Sequence, residues 1–248
     1  MPTSDAGTDQ FQTLSIIIPV YNERTTVMEL LHQVARQPVV LRKEIVIVDD
    51  HSTDGTREFL QQADLQNELG NGGQNIVKLA LHDENMGKGA GVRTGLAQST
   101  GEIVLIQDAD LEYDPGDYPL LLAPILEGHA DAVFGNRFHS GSHRVQRYYR
   151  FLVNRLFSII CNLLTGIAIH DVTACYKVFR RELLERMHLR SDRFSVETEM
   201  TVKVAKLGAR IYEVPIVYHG RTYAEGKKIS WQDGWRAFYD LIRYRFKD

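Results

Sequence analysis

The chain has 248 residues, 44% of them hydrophobic, enough to bury a substantial core in one large domain or a core domain with an appendage. Its formal net charge of −3 lacks the basic excess of a nucleic-acid-binding domain, so no nucleic-acid partner is expected. Two cysteines, Cys161 and Cys175, make neither a disulfide framework nor a metal-ligand cluster. The polar start MPTSDAGTDQFQT has no basic or apolar leader region, so a cytoplasmic protein is expected.

Apolar runs rich in β-branched residues predict strands at LSIII (14–18), EIVIV (44–48), IVKLAL (76–81), IVLI (103–106) and DAVFG (131–135). Helices are expected to begin near Glu23, Asp54, Lys88 and Asp117. This alternation argues an α/β domain on a mostly parallel sheet covered on both faces. QNELGNGGQN (66–75) has the composition of a surface loop. Residues 1–13 are expected to form a flexible tail and 14–230 the main domain.

Past residue 138 the rhythm changes. HSGSHRVQRYYR reads as a mobile loop, and FLVNRLFSIICNLLTGIAI (151–169) as an amphipathic helix with Leu152, Leu156, Ile159, Ile160 and Leu163 on one face and Arg147, Arg150 and Arg155 nearby. Asn154, Arg155 and Asn162 argue against a membrane span, so this helix is either a membrane-surface element or a core helix with a basic flank. In the last stretch, 231–248, Trp231, Trp235, Phe238, Ile242 and Phe246 share one stripe and Arg236, Arg243 and Lys247 another. That pattern suits an interfacial helix or a core-packing one.

Chemistry concentrates in IVLIQDADLEYDP (103–115), where Asp108, Asp110 and Glu112 follow a buried strand, the place where open α/β sheets hold ligands. Clustered carboxylates repel one another and favour a cation. Hard oxygen donors without His or Cys suit Mg²⁺ or Mn²⁺ shared with substrate phosphates. In VDDHSTDGT (48–56), Ser52, Thr53 and Asp54 read as helix caps, while one of Asp49 and Asp50 is a candidate for a base or ribose and the other for bracing the loop. ENMGKGAGVRTG (84–95) is no dinucleotide fingerprint, because Val92 stands where the third glycine belongs, and no P-loop. It remains a glycine turn opening a helix, with Lys88 able to approach an anionic nucleotide. FSVETEM (194–200) puts Glu197 and Glu199 at a helix start, and YHGRTYAEGKKISW (218–231) carries Arg221, Lys227 and Lys228 in a segment suited to a lid over a diphosphate.

Taken in order, SIIIPVYNE, IVIVDDHSTDGT, ENMGKGAGVRTG, QDADLE, FGNRF and GRTYAEGKKISW resemble the GT-A family 2 glycosyltransferases over residues 14–248, within the branch of dolichol-phosphate mannose synthases and polyprenyl-phosphate glycosyltransferases. The resemblance implies a GT-A fold in which Pro19, Tyr21, Glu23 and Asp50 hold base and ribose, with Lys88 and Gly89 beside them. It makes Asp108-Ala109-Asp110 the DXD element on the donor, Asp110 holding Mg²⁺ or Mn²⁺ with Asp108 in support and Glu112 as a further ligand. Arg137 is expected to face the sugar or the acceptor phosphate, as is Arg147 or Arg150, and Arg221 and Lys227 to close on the diphosphate. The family usually shows DMETCYK where this chain reads DVTACYK (171–177), so Val172, Thr173 and Ala174 depart from it, and the QXXRW motif of processive members is missing.

The expected activity is inverting transfer of a single sugar from a nucleotide-diphosphate sugar, of the GDP-mannose or UDP-glucose type, to a polyprenyl or dolichyl phosphate. The enzyme is expected at the cytoplasmic face of a membrane, held by its amphipathic helices. A phosphate acceptor is already ionised and needs no general base. The alternative is transfer to a soluble or protein-bound hydroxyl with Glu197 or Glu199 as base. A non-catalytic sugar-nucleotide binder is the reading from another class.

Overall fold

The structure, a computed structural model, describes residues 11–138, 148–221 and 231–247. The five apolar runs become β1 (Thr13–Val20), β2 (Arg42–Asp49), β3 (Asn75–Leu81), β4 (Ile103–Ile106) and β5 (Ala132–Asn136), joined by β6 (Lys177–Arg180) and β7 (Ile211–Pro215). They form one sheet in the order β3-β2-β1-β4-β6-β5-β7. β1 pairs in parallel with β2 and β4, β2 with β3, and β5 with β7; β6 alone runs antiparallel, between β4 and β5. The expected α/β domain on a largely parallel sheet is therefore present.

Side chains along a strand alternate between faces, so successive isoleucines of β1 enter different cores. Ile16 and Ile18 join Leu30 and Leu31 of α1 (Val27–Arg36), Leu65 and Leu69 of α3 (Leu65–Leu69) and Leu121 and Leu122 of α5 (Tyr118–Leu126). Ile17 instead meets Val92 of α4 (Lys88–Gln98), Cys161 of α6 (Tyr148–Thr165), Met200 of α8 (Val196–Lys206) and Leu241 of α9 (Trp231–Phe246). Each fully buried Ile, Leu, Val or Met among these contributes about 1.5–3 kcal/mol. Two short helices, α2 (Thr56–Gln62) and α7 (Arg181–Arg186), complete the α-helices among the described residues.

Local chemistry sets the ends that matter for the site. α1 stops where the buried Lys43 ammonium donates to the carbonyls of Val34, Ala35 and Gln37 at 2.6–2.9 Å, supplying partners to a helix end that has no further backbone donors. Burial brings that ammonium down to about 8. α5 follows a turn begun by Asp114, whose Oδ1 accepts from Gly116 N at 2.7 Å, with Pro115 fixing the backbone behind it.

Two expectations change. The stretch read as a loop, 66–75, contains most of α3 and a 3₁₀ turn, because Leu65 and Leu69 find a core and Asp64 caps the helix by accepting from Asn67 N. In α6, Phe157, Ile160, Cys161 and Leu164 pack into the second core, while Leu152, Leu156, Ile159 and Leu163 are exposed. The face expected to be uniform is thus split at Ile160. Residues 1–10, most of the basic loop with Arg147, and the lid residues Lys227 and Lys228 lie outside the described residues, as do the side chains of Arg150, Trp231 and Trp235.

Candidate active site

Four chain segments meet beyond the carboxyl ends of the parallel strands, where their backbone groups leave the sheet and side chains can converge on a ligand. β1 leads to Pro19, Tyr21 and Glu23; β2 leads to Asp50; the turn after β3 leads to Lys88; and β4 leads to Asp108, Ala109, Asp110 and Glu112. Leu111, between the last two acids, has φ +59°, a conformation uncommon for a side chain of its size, and it turns the chain sharply there. Asp110 Oδ1 accepts from Glu112 N at 3.1 Å across that turn.

Two cations divide the carboxylates between them. Lys88 Nζ lies 2.5 Å from Asp108 Oδ1 and 2.6 Å from Glu197 Oε1. Burial alone would lower this ammonium, but Asp108, the Cys175 sulfur and Glu197 hold it well above its ordinary range. Arg221 Nη2 lies 3.0 Å from Glu23 Oε1 and 3.1 Å from Asp110 Oδ2. Burial, followed by the charges of Asp108 and Glu112, pushes the Asp110 carboxyl up to about 7 against the opposing pull of Arg221. The cluster therefore keeps an excess of negative charge even with both cations in place.

That excess is the test for a divalent ion, and the donor set passes it. Asp110, with Asp108 beside it, offers hard oxygens, and no three His, Cys, Asp or Glu side chains form a complete metal cage among the described residues. A site that supplies one or two carboxylates and leaves the remaining positions to water and phosphate is the form Mg²⁺ and Mn²⁺ take beside nucleotides. Glu112 is differently engaged: its Oε2 accepts from Tyr218 OH at 2.7 Å and its Oε1 from Arg221 N at 2.6 Å.

Asp50 is almost wholly buried. Its Oδ1 accepts from Met86 N at 2.8 Å and faces His82 Nδ1 at 2.8 Å, and its Oδ2 accepts from Gly87 N at 2.7 Å and Asn85 Nδ2 at 3.0 Å. This residue, expected to touch a base or ribose, instead fastens the glycine turn to β2. Asp49 does the bracing expected of one member of the pair, accepting from Ser52 N. The glycines serve another packing need: a Cβ on Gly87, where φ is +96°, would lie 2.4 Å from Asp192 O, and one on Gly89 would lie 2.0 Å from Ser191 O. The room at Gly89 is filled by protein main chain from the segment leading into α8.

The remaining expected residues are distributed as follows. Tyr21 is exposed and Pro19 half-buried, while Ala109 is buried beside the carboxylates. Arg137 makes a two-pronged pair with Asp171, Nε to Oδ2 and Nη2 to Oδ1 both at 2.7 Å, and donates to Thr173 Oγ1 at 2.7 Å. It braces the 171–175 loop, with Tyr218 stacked 5.1 Å from the guanidinium. Glu199 is fully buried, accepting from Arg190 N and Ser191 N and paired with Lys203 at 2.8 Å. Glu197 is the one of the two that turns toward Lys88.

Several contributors had weaker signals in the sequence. Lys177 is buried beneath the site and donates to Val172 O and Ala174 O, shaping the 171–175 loop. Cys175 lies against Asp108, where burial and that carboxylate raise its thiol well above the ordinary range. Tyr218 and Thr26 orient Glu112 and Glu23, the latter by a 2.7 Å hydrogen bond from Thr26 Oγ1 to Glu23 Oε2. Cys175 and Lys177 are positions of DVTACYK that match the family's motif, whereas Tyr218 stands just before the motif that begins at Gly220.

Residues 15–187 match the profile of Glycosyl transferase family 2. The chain belongs to that family. Glycosyltransferase AglJ of Haloferax volcanii is 30% identical over 98% of this chain and 73% of its own length. The undecaprenyl-phosphate 4-deoxy-4-formamido-L-arabinose transferase of Pseudomonas aeruginosa is 30% identical over 86% of this chain, which spans 60% of that relative. Among solved structures, glucosyl-3-phosphoglycerate synthase from Mycobacterium tuberculosis, in complex with Mn²⁺, UDP and glucosyl-3-phosphoglycerate, superposes with a TM-score of 0.69 at 19% identity, covering 97% of this chain and 82% of that one.

These comparisons correct the expected acceptor and membrane partner of this family 2 glycosyltransferase. The polyprenyl or dolichyl phosphate was implied by the resemblance, yet the same fold holds the soluble acceptor phosphoglyceric acid in the mycobacterial synthase. The membrane surface was expected from the amphipathic patterns of 151–169 and 231–248. No helix among the described residues is long and apolar enough to cross a membrane, and α6 and α9 are both anchored in the second core, by Cys161 and Leu241 among others.

Proposed function

We propose that this family 2 glycosyltransferase moves a single sugar from a nucleotide-diphosphate sugar to a hydroxyl of a soluble or protein-bound acceptor, inverting the anomeric carbon, with Glu197 as general base. The observation that carries this reading is the division of labour on α8. Glu199 is committed to Arg190, Ser191 and Lys203, whereas Glu197 Oε1 faces Lys88 at 2.6 Å beside Asp108 and has no hydrogen-bond partner beyond that ion pair among the described residues. A hydroxyl needs a base where an ionised phosphate does not, and Glu197, unlike Glu199, has no backbone amide committed to its Oε1.

The acceptor oxygen forms a bond to the anomeric carbon as the bond from that carbon to the diphosphate breaks, and the electron pair leaves with the diphosphate. Glu197 takes the hydroxyl proton. Lys88 holds Glu197 and Asp108 in place, and Arg221 supplies positive charge where the leaving group becomes more negative. A Mg²⁺ or Mn²⁺ ion held by Asp110 and Asp108 supplies further neutralisation of the diphosphate when bound. A UDP-sugar is the first donor to test, since the mycobacterial synthase of like fold was solved with UDP and UDP-glucose.

The test is incubation with Mn²⁺, UDP-glucose or GDP-mannose, and a panel of hydroxyl compounds that includes 3-phosphoglycerate, with products identified by mass spectrometry. Glu197→Gln is expected to lower kcat by roughly 10²–10⁴-fold while leaving donor binding intact. Transfer by Glu197→Gln at the wild-type rate, with an unchanged pH profile, would remove Glu197 from the mechanism and this reading with it.

A further inference from the structure

Arg221 reaches back over the carboxylates from the start of the segment expected to form the lid. Its guanidinium donates from Nη1 to Glu23 Oε2 at 3.2 Å and from Nη2 to Glu23 Oε1 at 3.0 Å, and Nη2 also lies 3.1 Å from Asp110 Oδ2. Its main chain is fixed as tightly: Arg221 N donates to Glu112 Oε1 at 2.6 Å, His219 N to Glu112 O at 2.8 Å, and Tyr218 OH to Glu112 Oε2 at 2.7 Å. One glutamate thus ties the backbone of residues 218–221 to the DXD loop, and another grips the guanidinium. The result is a protein cation seated on the carboxylate best suited to a divalent ion.

We infer that Arg221 is the built-in counter-ion of the donor-free enzyme, parked on Asp110 by Glu23 and Glu112, and that a divalent ion binds Asp110 by exchanging with it. Glu112 is then a positioning residue for Arg221 and not a metal ligand. The inference rests on the divalent-metal reading of Asp110. A guanidinium and a divalent ion cannot both sit in contact with Asp110 Oδ2, because like charges a few ångströms apart repel strongly in a partly buried site. Metal binding in the donor-free enzyme therefore includes the cost of breaking the Arg221–Asp110 pair. By linkage, whatever draws Arg221 away, such as a diphosphate with oxygens of its own to offer, tightens the metal, and the metal in turn frees Arg221 for the diphosphate.

The experiment is Mn²⁺ binding to the full chain without donor, followed by electron paramagnetic resonance at fixed ionic strength, with circular dichroism confirming that each variant is folded. Arg221→Ala is expected to bind Mn²⁺ about 5–10-fold more tightly than wild type, with Arg221→Lys between them. Glu112→Gln added to Arg221→Ala is expected to weaken that affinity by no more than about threefold, the loss of one nearby charge, and Asp110→Asn added to it to abolish binding. Equal Mn²⁺ affinity in wild type and Arg221→Ala, with binding still lost in Asp110→Asn, overturns the counter-ion role alone. A tenfold weakening by Glu112→Gln in the Arg221→Ala background makes Glu112 a ligand and overturns its positioning role. Binding that survives Asp110→Asn overturns the underlying metal assignment.

Discussion

Gly87 N donates to Asp50 Oδ2 at 2.7 Å, which ties the turn that presents Lys88 to the end of β2. Met86 N and Asn85 Nδ2 reach the same carboxylate, and His82 completes its shell while its Nε2 contacts Thr94 Oγ1 of α4 at 2.9 Å. Asp50→Ala leaves the buried Gly87 N–H without its acceptor, at a cost of about 1–3 kcal/mol. The turn should loosen and Lys88 lose its fixed approach to Asp108. The expected outcome is a lowered thermal midpoint together with a donor KM raised about tenfold. A variant with normal stability and a lost nucleotide contact would return Asp50 to direct base recognition.

Arg137 was expected to face the sugar or the acceptor phosphate, and its pairing with Asp171 makes a different prediction. Removing one partner of a buried, two-pronged ion pair costs about 3–5 kcal/mol, because the other charge is left without compensation. Arg137→Ala should therefore lower the urea midpoint strongly, and Arg137→Lys should not restore it, since an ammonium cannot reproduce the fork that meets both Asp171 oxygens. A fully stable Arg137→Ala enzyme with impaired turnover would instead place this side chain on the substrate.

Glu44 predicts the acid limit of stability. It sits at the far end of the sheet from the site, wholly buried, accepting from Lys78 Nζ and Thr100 N at 2.7 Å and from Ser15 Oγ at 2.5 Å. Burial would raise this carboxyl, but those hydrogen bonds and the Lys78 charge bring it down to about 2 from 4.5. A carboxyl lowered on folding contributes stability that is complete above its unfolded value and is lost as pH falls toward the folded one. Urea unfolding should show wild-type stability declining between about pH 4.5 and pH 2, and Glu44→Gln should flatten that decline while weakening the fold at neutral pH.

The first five strands were legible because each is a run of apolar residues with nothing to compete. β6 is four residues long and begins with Lys177, a cation that is buried only because two loop carbonyls accept from it, so neither its length nor its composition announces a strand. β7 is only partly buried and shows no clear alternation. In the site, Asp108 and Asp110 were readable from the density of charge at a strand end. The commitments of Asp50 and Gly89 were not, since they depend on what the fold brings to them. His82 stands more than thirty residues from Asp50, and Ser191 about a hundred from Gly89. The choice between Glu197 and Glu199 had the same character: two residues apart on one helix, they are distinguished only by which loop amides arrive to occupy one of them.

The contact of the glycine turn with Ser191 and Asp192 joins parts of the candidate site that arise from opposite halves of the chain. The 191–192 carbonyls rest in the hollows at Gly87 and Gly89, and a few residues later the same segment becomes the helix that carries Glu197. Lys88 and Glu197 thus share one mount. A shift of the turn on meeting a donor would carry Glu197, the proposed proton acceptor, with it, so that donor loading and readiness for the acceptor would become a single mechanical event.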